Sequence, residues 1–426
     1  MYSTDTKCVQ AGYNPKNGEP RVLPIYQSTT FSYDTPEEMG DLFDLKKSGF
    51  FYSRLANPTV AEMENKIAQL DGGIGAMGCS SGMAATTLTA LTLCHAGDNI
   101  ISLSTIYGGT YNLFATTLPK LGISCRFVDP DAPKEKIEEL IDEKTKFIFC
   151  ETIANPAMRI LDFEKLSEVC KKHKLLLVVD NTLATPVICK PIEFGANIVI
   201  YSSTKYLDGH ACALGGIIVD CGNFTYLNND RYPDFNQPDA SYHGMVYASD
   251  LGQSAFIVKA RVQCMRDIGA MLSPQNAFLT QLGMETLHLR MARHSENAMA
   301  VAKMLKENKA VEWVSYAGLE SHLDNHLVKK YFTNQMASGM VTFGIKGGRE
   351  AAQKFQKALN LIRIVTHIAD VRSCVLHPAS TTHRQLSDAD LAACGISDNL
   401  IRLSLGIEGT KDILDDIKNA LYQSQN

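Results

Sequence analysis

Ser202-Ser203-Thr204-Lys205-Tyr206-Leu207-Asp208-Gly209-His210 follows closely on Ala196-Asn197-Ile198-Val199-Ile200, an apolar run that reads as a buried strand. A second such run, Leu175-Leu176-Leu177-Val178-Val179, ends in Asp180-Asn181. One strand end therefore carries a carboxylate, and the next carries a lysine behind small hydroxyl residues. Each part alone is a weak signal. A strand-end lysine is most often solvated, and an aspartate after an apolar run is often a turn or a helix cap. Their order, at consecutive strand ends, sets them apart.

A lysine and a carboxylate so placed suit pyridoxal phosphate. The Lys205 amine can form a Schiff base with the aldehyde, and the Asp180 carboxylate can pair with the protonated pyridine nitrogen. Ser202 and Thr204 are placed to hydrogen-bond the phosphate. Upstream, Ser80-Ser81-Gly82-Met83-Ala84-Ala85 opens a helix. Small residues let backbone approach a phosphate, and a helix N-terminus supplies free N–H groups and a favourable dipole.

Around this core the chain alternates. Helical spacing is read over 59–70, 82–93, 111–121, 133–141 and 163–173, and strands over 100–103, 125–128 and 147–150. The rhythm argues for an α/β protein with a mostly parallel sheet covered by helices, in which ligands bind beyond the carboxyl ends of the strands. Glu151, Asp180 and Lys205 all fall at such ends. Residues 1–53 show no clear periodic element and read as an extended arm that contacts a neighbouring subunit. Residues 54–257 read as the large cofactor-binding domain, with an ordered excursion over 221–247. Residues 258–426 read as a smaller α+β domain, with long helical patterns over 255–269 and 276–307 and strands over 340–345 and 401–405.

Composition narrows the function classes. The 426 residues are 45% hydrophobic and 20% charged, ordinary for a globular chain. With 41 basic and 46 acidic residues the net charge is −5, which leaves no electrostatic footprint for nucleic acid. No apolar run approaches a membrane span and the first residues do not resemble a signal peptide, so the expected location is the cytoplasm. The 12 cysteines, scattered from Cys8 to Cys394, form no C-x-x-C pair and read as free thiols. His377 and His383 bring no carboxylate or thiol cluster with ligand spacing, so no metal is expected.

Further residues converge on a family. Tyr52-Ser53-Arg54 with Asn57-Pro58-Thr59, Ser81-Gly82-Met83, Tyr107-Gly108-Gly109-Thr110, Glu151-Thr152 with Asn155-Pro156, and Asp180-Asn181-Thr182 come first in the chain. Ser202-x-Thr204-Lys205-Tyr206 with Gly209-His210, His377-Pro378-Ala379-Ser380 and Arg402-Leu403-Ser404 follow. The ordered set resembles the Cys/Met-metabolism family of pyridoxal-phosphate enzymes over nearly the whole chain. The resemblance implies fold type I, the aspartate aminotransferase-like α/β architecture, and a tetramer built from dimers.

It also implies roles. Lys205 becomes the Schiff-base lysine and proton shuttle, and Asp180 the partner of the pyridine nitrogen. Tyr107 stacks on the ring, and Asn155 contacts the ring hydroxyl. Gly82 and Met83 give backbone N–H groups to the phosphate, joined by the Ser202 and Thr204 hydroxyls. Tyr52 and Arg54 reach the phosphate of a neighbouring subunit, with Tyr52 also near substrate. Arg402 clamps the substrate α-carboxylate in a bidentate pair. His367 stands where many relatives have a serine near that carboxylate, which leaves its role open.

Thr35-Pro36-Glu37-Glu38-Met39, Ser241-Tyr242-His243-Gly244 and Ser273-Pro274-Gln275-Asn276-Ala277-Phe278 point to one activity within the family: γ-replacement on O-acetyl-L-homoserine by sulfide or a small thiol, giving L-homocysteine and acetate. The alternatives are γ-elimination of thiol from methionine and addition of cysteine to an activated homoserine. Members with the first of these usually carry a cysteine where Gly109 stands. A catalytically silent scaffold is expected to lose Lys205 or Arg402, and both are present.

Overall fold

Seven strands line up as β1 (Gly75–Cys79), β7 (Gly216–Asp220), β6 (Ile198–Tyr201), β5 (Leu176–Asp180), β4 (Thr145–Glu151), β2 (Asn99–Leu103) and β3 (Ser124–Val128) in the computed structural model, which describes residues 2–381, 384 and 397–426. Only β7 runs antiparallel to its neighbours β1 and β6. The mostly parallel α/β sheet expected from the alternating pattern is therefore the architecture of the protein.

Burial explains why the strand sequences are almost wholly apolar. Successive side chains of a strand point to opposite faces. Leu177 and Val179 of β5 enter one core cluster, with Val199 and Tyr201 of β6. Leu176 and Val178 enter the other, with Ile198 and Ile200. With helices on both faces, neither face is left to water, so no polar alternation survives in the sequence. Each fully buried aliphatic side chain contributes roughly 1.5–3 kcal/mol.

A second, five-stranded sheet has the order β10 (Arg363–Ile364), β11 (Cys374–Leu376), β12 (Leu400–Ser404), β9 (Met340–Ile345), β8 (Val311–Ser315). In it Arg402 sits on β12, opposite Thr342 on one side and Leu376 on the other.

Several sequence expectations need correction. The first 53 residues are not devoid of elements. Helices span Thr4–Gln10 and Pro36–Phe43, the first capped by Ser3 and the second by Thr35 with proline at its start. Both are too short for periodicity to reveal. The continuous helix read over 276–307 is two helices, Pro274–Glu285 and Leu287–Glu307, parted at Thr286. The Arg290 guanidinium donates to the freed Gly283 carbonyl at 2.6 Å, which satisfies the broken end. The 111–121 segment begins earlier, at Gly108, and passes through a wide π turn before Pro119, which has no N–H to continue an α-helix. The charged helix read over 133–141 spans only Lys134–Glu138. Strands β1, β7, β8, β10 and β11 had no reading. His383 and Cys394 lie outside the described residues.

Tyr201 closes β6 just ahead of the Lys205 loop and is held by a buried acid. Its Oη donates to Asp71 at 2.7 Å and accepts from Asn181 Nδ2 at 2.9 Å. Asp71 is the last residue of the helix Pro58–Asp71, where the helix dipole opposes a negative charge. Burial pushes its carboxyl from 3.8 up to about 7. Between those values the unfolded chain ionises while the folded chain keeps its proton, so stability falls as pH rises across that window. Asp71→Asn is expected to flatten the decline, read as the urea midpoint between pH 4 and pH 8; an unchanged slope refutes the assignment. Asp220, also raised to about 7 by burial, leaves a residual slope.

Candidate active site

Three neighbouring strands deliver the centre. Glu151 and Asp180 are register partners at the ends of β4 and β5, and Ser202 follows the end of β6. A cavity of about 240 Å³ opens there, lined by Gly82, Met83, Tyr107, Asn155, Asp180, Ser202, Thr204, Lys205 and Arg402. Nine residues singled out in the sequence thus share one space.

Lys205 sits on a tight turn. Its N–H donates to Ser202 O at 3.1 Å, and its carbonyl accepts from Gly209 N–H at 2.7 Å. Gly209 has φ +71°, and a Cβ there would stand 2.1 Å from Arg290 Nη1. Arg290 in turn donates to Tyr206 O at 2.8 Å, pinning the loop from outside the cavity. Burial first, and then the Arg402 guanidinium, lower the Lys205 amine to about 8. Arg402 donates weakly to Asn155 Oδ1 at 3.5 Å and to Thr366 O at 3.3 Å. Among the described residues no carboxylate pairs with either cation. A half-buried guanidinium left so has donors free to receive an anion.

The acidic end lies across the cavity. Asp180 accepts the Thr182 N–H at 2.9 Å, and burial raises its carboxyl above the ordinary range. Glu151 is raised further, by burial and by Asp180. Glu151 Oε1 accepts the Tyr107 N–H at 2.7 Å and so fixes the backbone that carries the Tyr107 ring. That ring lies against Gly109, where a Cβ would come within 2.5 Å of Tyr107 Cε1.

A cradle of free backbone N–H groups stands at the start of the helix Gly82–Leu93. Ser81 caps it by accepting the Ala84 N–H at 3.0 Å, which leaves the Gly82 and Met83 N–H groups unspent. A Cβ on Gly82 would lie 2.7 Å from Ser202 Cβ, and one on Gly216 would lie 2.0 Å from Ser81 O. Both glycines are needed for the helix end to meet the β6 loop. The Ser202 hydroxyl has no protein partner among the described residues. The Thr204 hydroxyl donates to Gly215 O at 3.0 Å and accepts its N–H at 3.1 Å, so its first task is to stiffen the loop.

Tyr52 and Arg54 do not reach this cavity. The Arg54 guanidinium lies 5.0 Å over the Tyr52 ring, and both line a separate hollow with Phe43, Tyr242 and Arg266.

Comparison with known proteins agrees with this geometry. The sequence profile described as Cys/Met metabolism PLP-dependent enzyme matches residues 5–422. This chain belongs to that family. Family members use pyridoxal 5'-phosphate (PLP). The chain is 42% identical to the homocysteine synthase of Schizosaccharomyces pombe, over 98% of this chain and 97% of that one. It is 40% identical to the O-acetyl-L-homoserine sulfhydrylase of Leptospira meyeri, over 99% and 97%. A crystal structure of a Campylobacter jejuni protein named for O-acetylhomoserine (thiol)-lyase activity superposes with a TM-score of 0.95 at 37% identity, covering 99% of this chain and 100% of that one. That protein carries N'-pyridoxyl-lysine-5'-monophosphate at its position 205.

The residues of this family member fit the cofactor. The glycine-lined helix end, Asp180 at the end of β5 and a Lys205 amine that no carboxylate pairs among the described residues suit a phosphate, a ring nitrogen and an aldehyde in turn. Reading the sequence by motif missed Glu151 as the anchor of Tyr107, and Arg290 as the pin of the Lys205 loop. Glu151 was visible as a strand end and as part of the Glu151-Thr152 motif, with no role attached, and Arg290 lies 85 residues from Lys205 with no local signal. Gly82→Ala is expected to weaken PLP binding at least about tenfold, or about 1.4 kcal/mol, in an absorbance titration with folding monitored by circular dichroism. Binding within twofold of the parent removes the cradle.

Proposed function

We propose that this chain replaces the acetoxy group of O-acetyl-L-homoserine by sulfide, giving L-homocysteine and acetate. The Cγ–O bond breaks, the Cγ–S bond forms, and the amino acid keeps its carboxylate and amine. The observation that carries the reading is full-length similarity, at 40–42% identity, to proteins named for homocysteine synthesis and O-acetylhomoserine sulfhydrylation. Gly109 supports it over γ-elimination from methionine, because members with that activity usually carry a cysteine at this position.

Bound in the cavity, PLP supplies an electron sink for the pair left on the substrate α-carbon. The chain's own groups do the rest. Lys205, with an amine near 8, is a base at neutral pH and the carrier of the α-proton. Asp180 keeps the ring nitrogen protonated, and Asn155 meets the ring hydroxyl. Gly82, Met83 and Ser202 hold the phosphate, with Thr204 beside them. Tyr107 covers the ring face. Arg402 takes the α-carboxylate bidentately, which relieves its own unpaired burial.

We further read Tyr52 and Arg54 as completing the site of a second copy, so that a dimer, within a tetramer, is the working unit. The same reading divides the chain into an arm (1–53), a large domain and a C-terminal domain. The second junction, read at 257/258, falls within a continuous helical segment over 255–268. Phe256, Ile257, Ala260, Val262 and Met265 of that segment pack in the large-domain core, so we place the junction after it. No helix among the described residues is long and apolar enough to cross a membrane, and we place the enzyme in the cytoplasm.

A substrate panel tests the reaction. O-acetylhomoserine plus sulfide should yield homocysteine, and methionine alone should yield little 2-oxobutyrate; the reverse pattern makes the chain a lyase. Lys205→Ala should abolish turnover, and Arg402→Lys should raise KM about 100-fold by losing the second hydrogen bond. For the shared site, Lys205→Ala and Arg54→Ala chains should each be nearly inactive. Refolded together, they should recover up to about a quarter of parental activity, since mixed dimers keep one intact site. No recovery on mixing rejects the shared site.

A further inference from the structure

His367 touches the lysine from behind the cavity. The flanking Thr366 and Ile368 line the cavity, whereas His367 is half-buried and places Nδ1 3.3 Å from Lys205 Nζ. Its backbone is tied down, since Cys374 Sγ donates to His367 O at 3.1 Å and Ala369 N–H donates to Ser404 Oγ at 2.8 Å. Its Nε2 is buried with no hydrogen-bond partner among the described residues.

The donor inventory assigns the ring state. An ammonium has three donors and no acceptor, so the Nδ1 that faces it must offer its lone pair. The proton of the neutral ring then sits on Nε2. A charged imidazolium is opposed by Lys205 and Arg372, and favoured by Asp370 and Asp208. Burial and Lys205 outweigh the acids and hold the ring below its ordinary pKa. The neutral form is therefore the one that meets the lysine.

We propose that His367 is a positioning residue for Lys205: its neutral imidazole accepts the Lys205 N–H through Nδ1, aims the amine at the cavity and strengthens the lysine's hold on the proton it carries. A hydrogen bond to the charged form of a group favours that form. Burial and Arg402 weaken the Lys205 ammonium, and His367 restores part of its proton affinity without adding a negative charge that would compete with the substrate carboxylate for Arg402. The proposal rests on the reading above only for the identity of the reaction.

Two readouts test it. In the full-length chain freed of cofactor, Lys205 acylation by acetic anhydride is followed by mass spectrometry across pH. His367→Leu should move the midpoint downward and speed labelling at neutral pH about fivefold, because more of the amine is then unprotonated. His367→Asn, which keeps an acceptor at the δ position, should return it toward the parent. In the loaded enzyme, His367→Leu should lower kcat about tenfold with KM within about twofold, and Asn should recover most of the loss. Should the Leu variant not fold, His367→Gln, whose acceptor lies one bond farther out, takes its place. An unmoved labelling midpoint, or a rise in KM with kcat retained, overturns the proposal. A parent enzyme that makes no homocysteine refutes the reaction instead, and leaves the labelling result to decide His367.

Discussion

Two half-buried cations with no carboxylate partner among the described residues govern this site. Lys205 comes from the loop after β6 of the large sheet, and Arg402 from β12 of the small one. Desolvating a charge costs several kcal/mol unless something compensates it. Lys205 responds by giving up basicity, falling to about 8, which is the property a proton carrier needs at neutral pH. Arg402 remains charged, and its compensation has to arrive with the ligand. The cavity therefore offers anions the two cations and the free N–H groups of a helix end.

The scaffold's task is to keep that arrangement from relaxing. Parallel strands β4, β5 and β6 bring Glu151 and Asp180 side by side by register, with Ser202 just past the end of β6. Stiffness comes from groups that do no chemistry themselves. Arg290 clamps the Lys205 turn through Tyr206 O, Thr204 bonds Gly215, and Glu151 holds the Tyr107 backbone. Three glycines at 82, 209 and 216 permit approaches that any Cβ would block. Precision at the centre is built from such contacts more than from the residues that face the ligand.

His367 fits the same logic. A carboxylate in its place would neutralise the lysine but would also compete for the Arg402 guanidinium. A neutral acceptor supports the amine without that competition. The identity of this residue matters because burial and the Lys205 charge keep its ring neutral against the pull of Asp370 and Asp208.

The amino-acid sequence alone determined the strands β4, β5 and β6, the helices Gly82–Leu93 and Phe163–His173, and the order of Asp180 and Lys205 at consecutive strand ends. These are encoded locally, in buried apolar runs, in helical spacing and in caps, so they are legible one segment at a time. Other features were decided by tertiary structure. Strand β1, Gly-Ala-Met-Gly-Cys, has little β character and exists because β7 pairs with it. The break at Thr286 is stable because Arg290 answers the freed carbonyl. The meeting of Lys205 with His367, 162 residues away, has no local trace at all. Burial, charge compensation and close approach depend on what the fold brings near, and no window of neighbouring residues contains that.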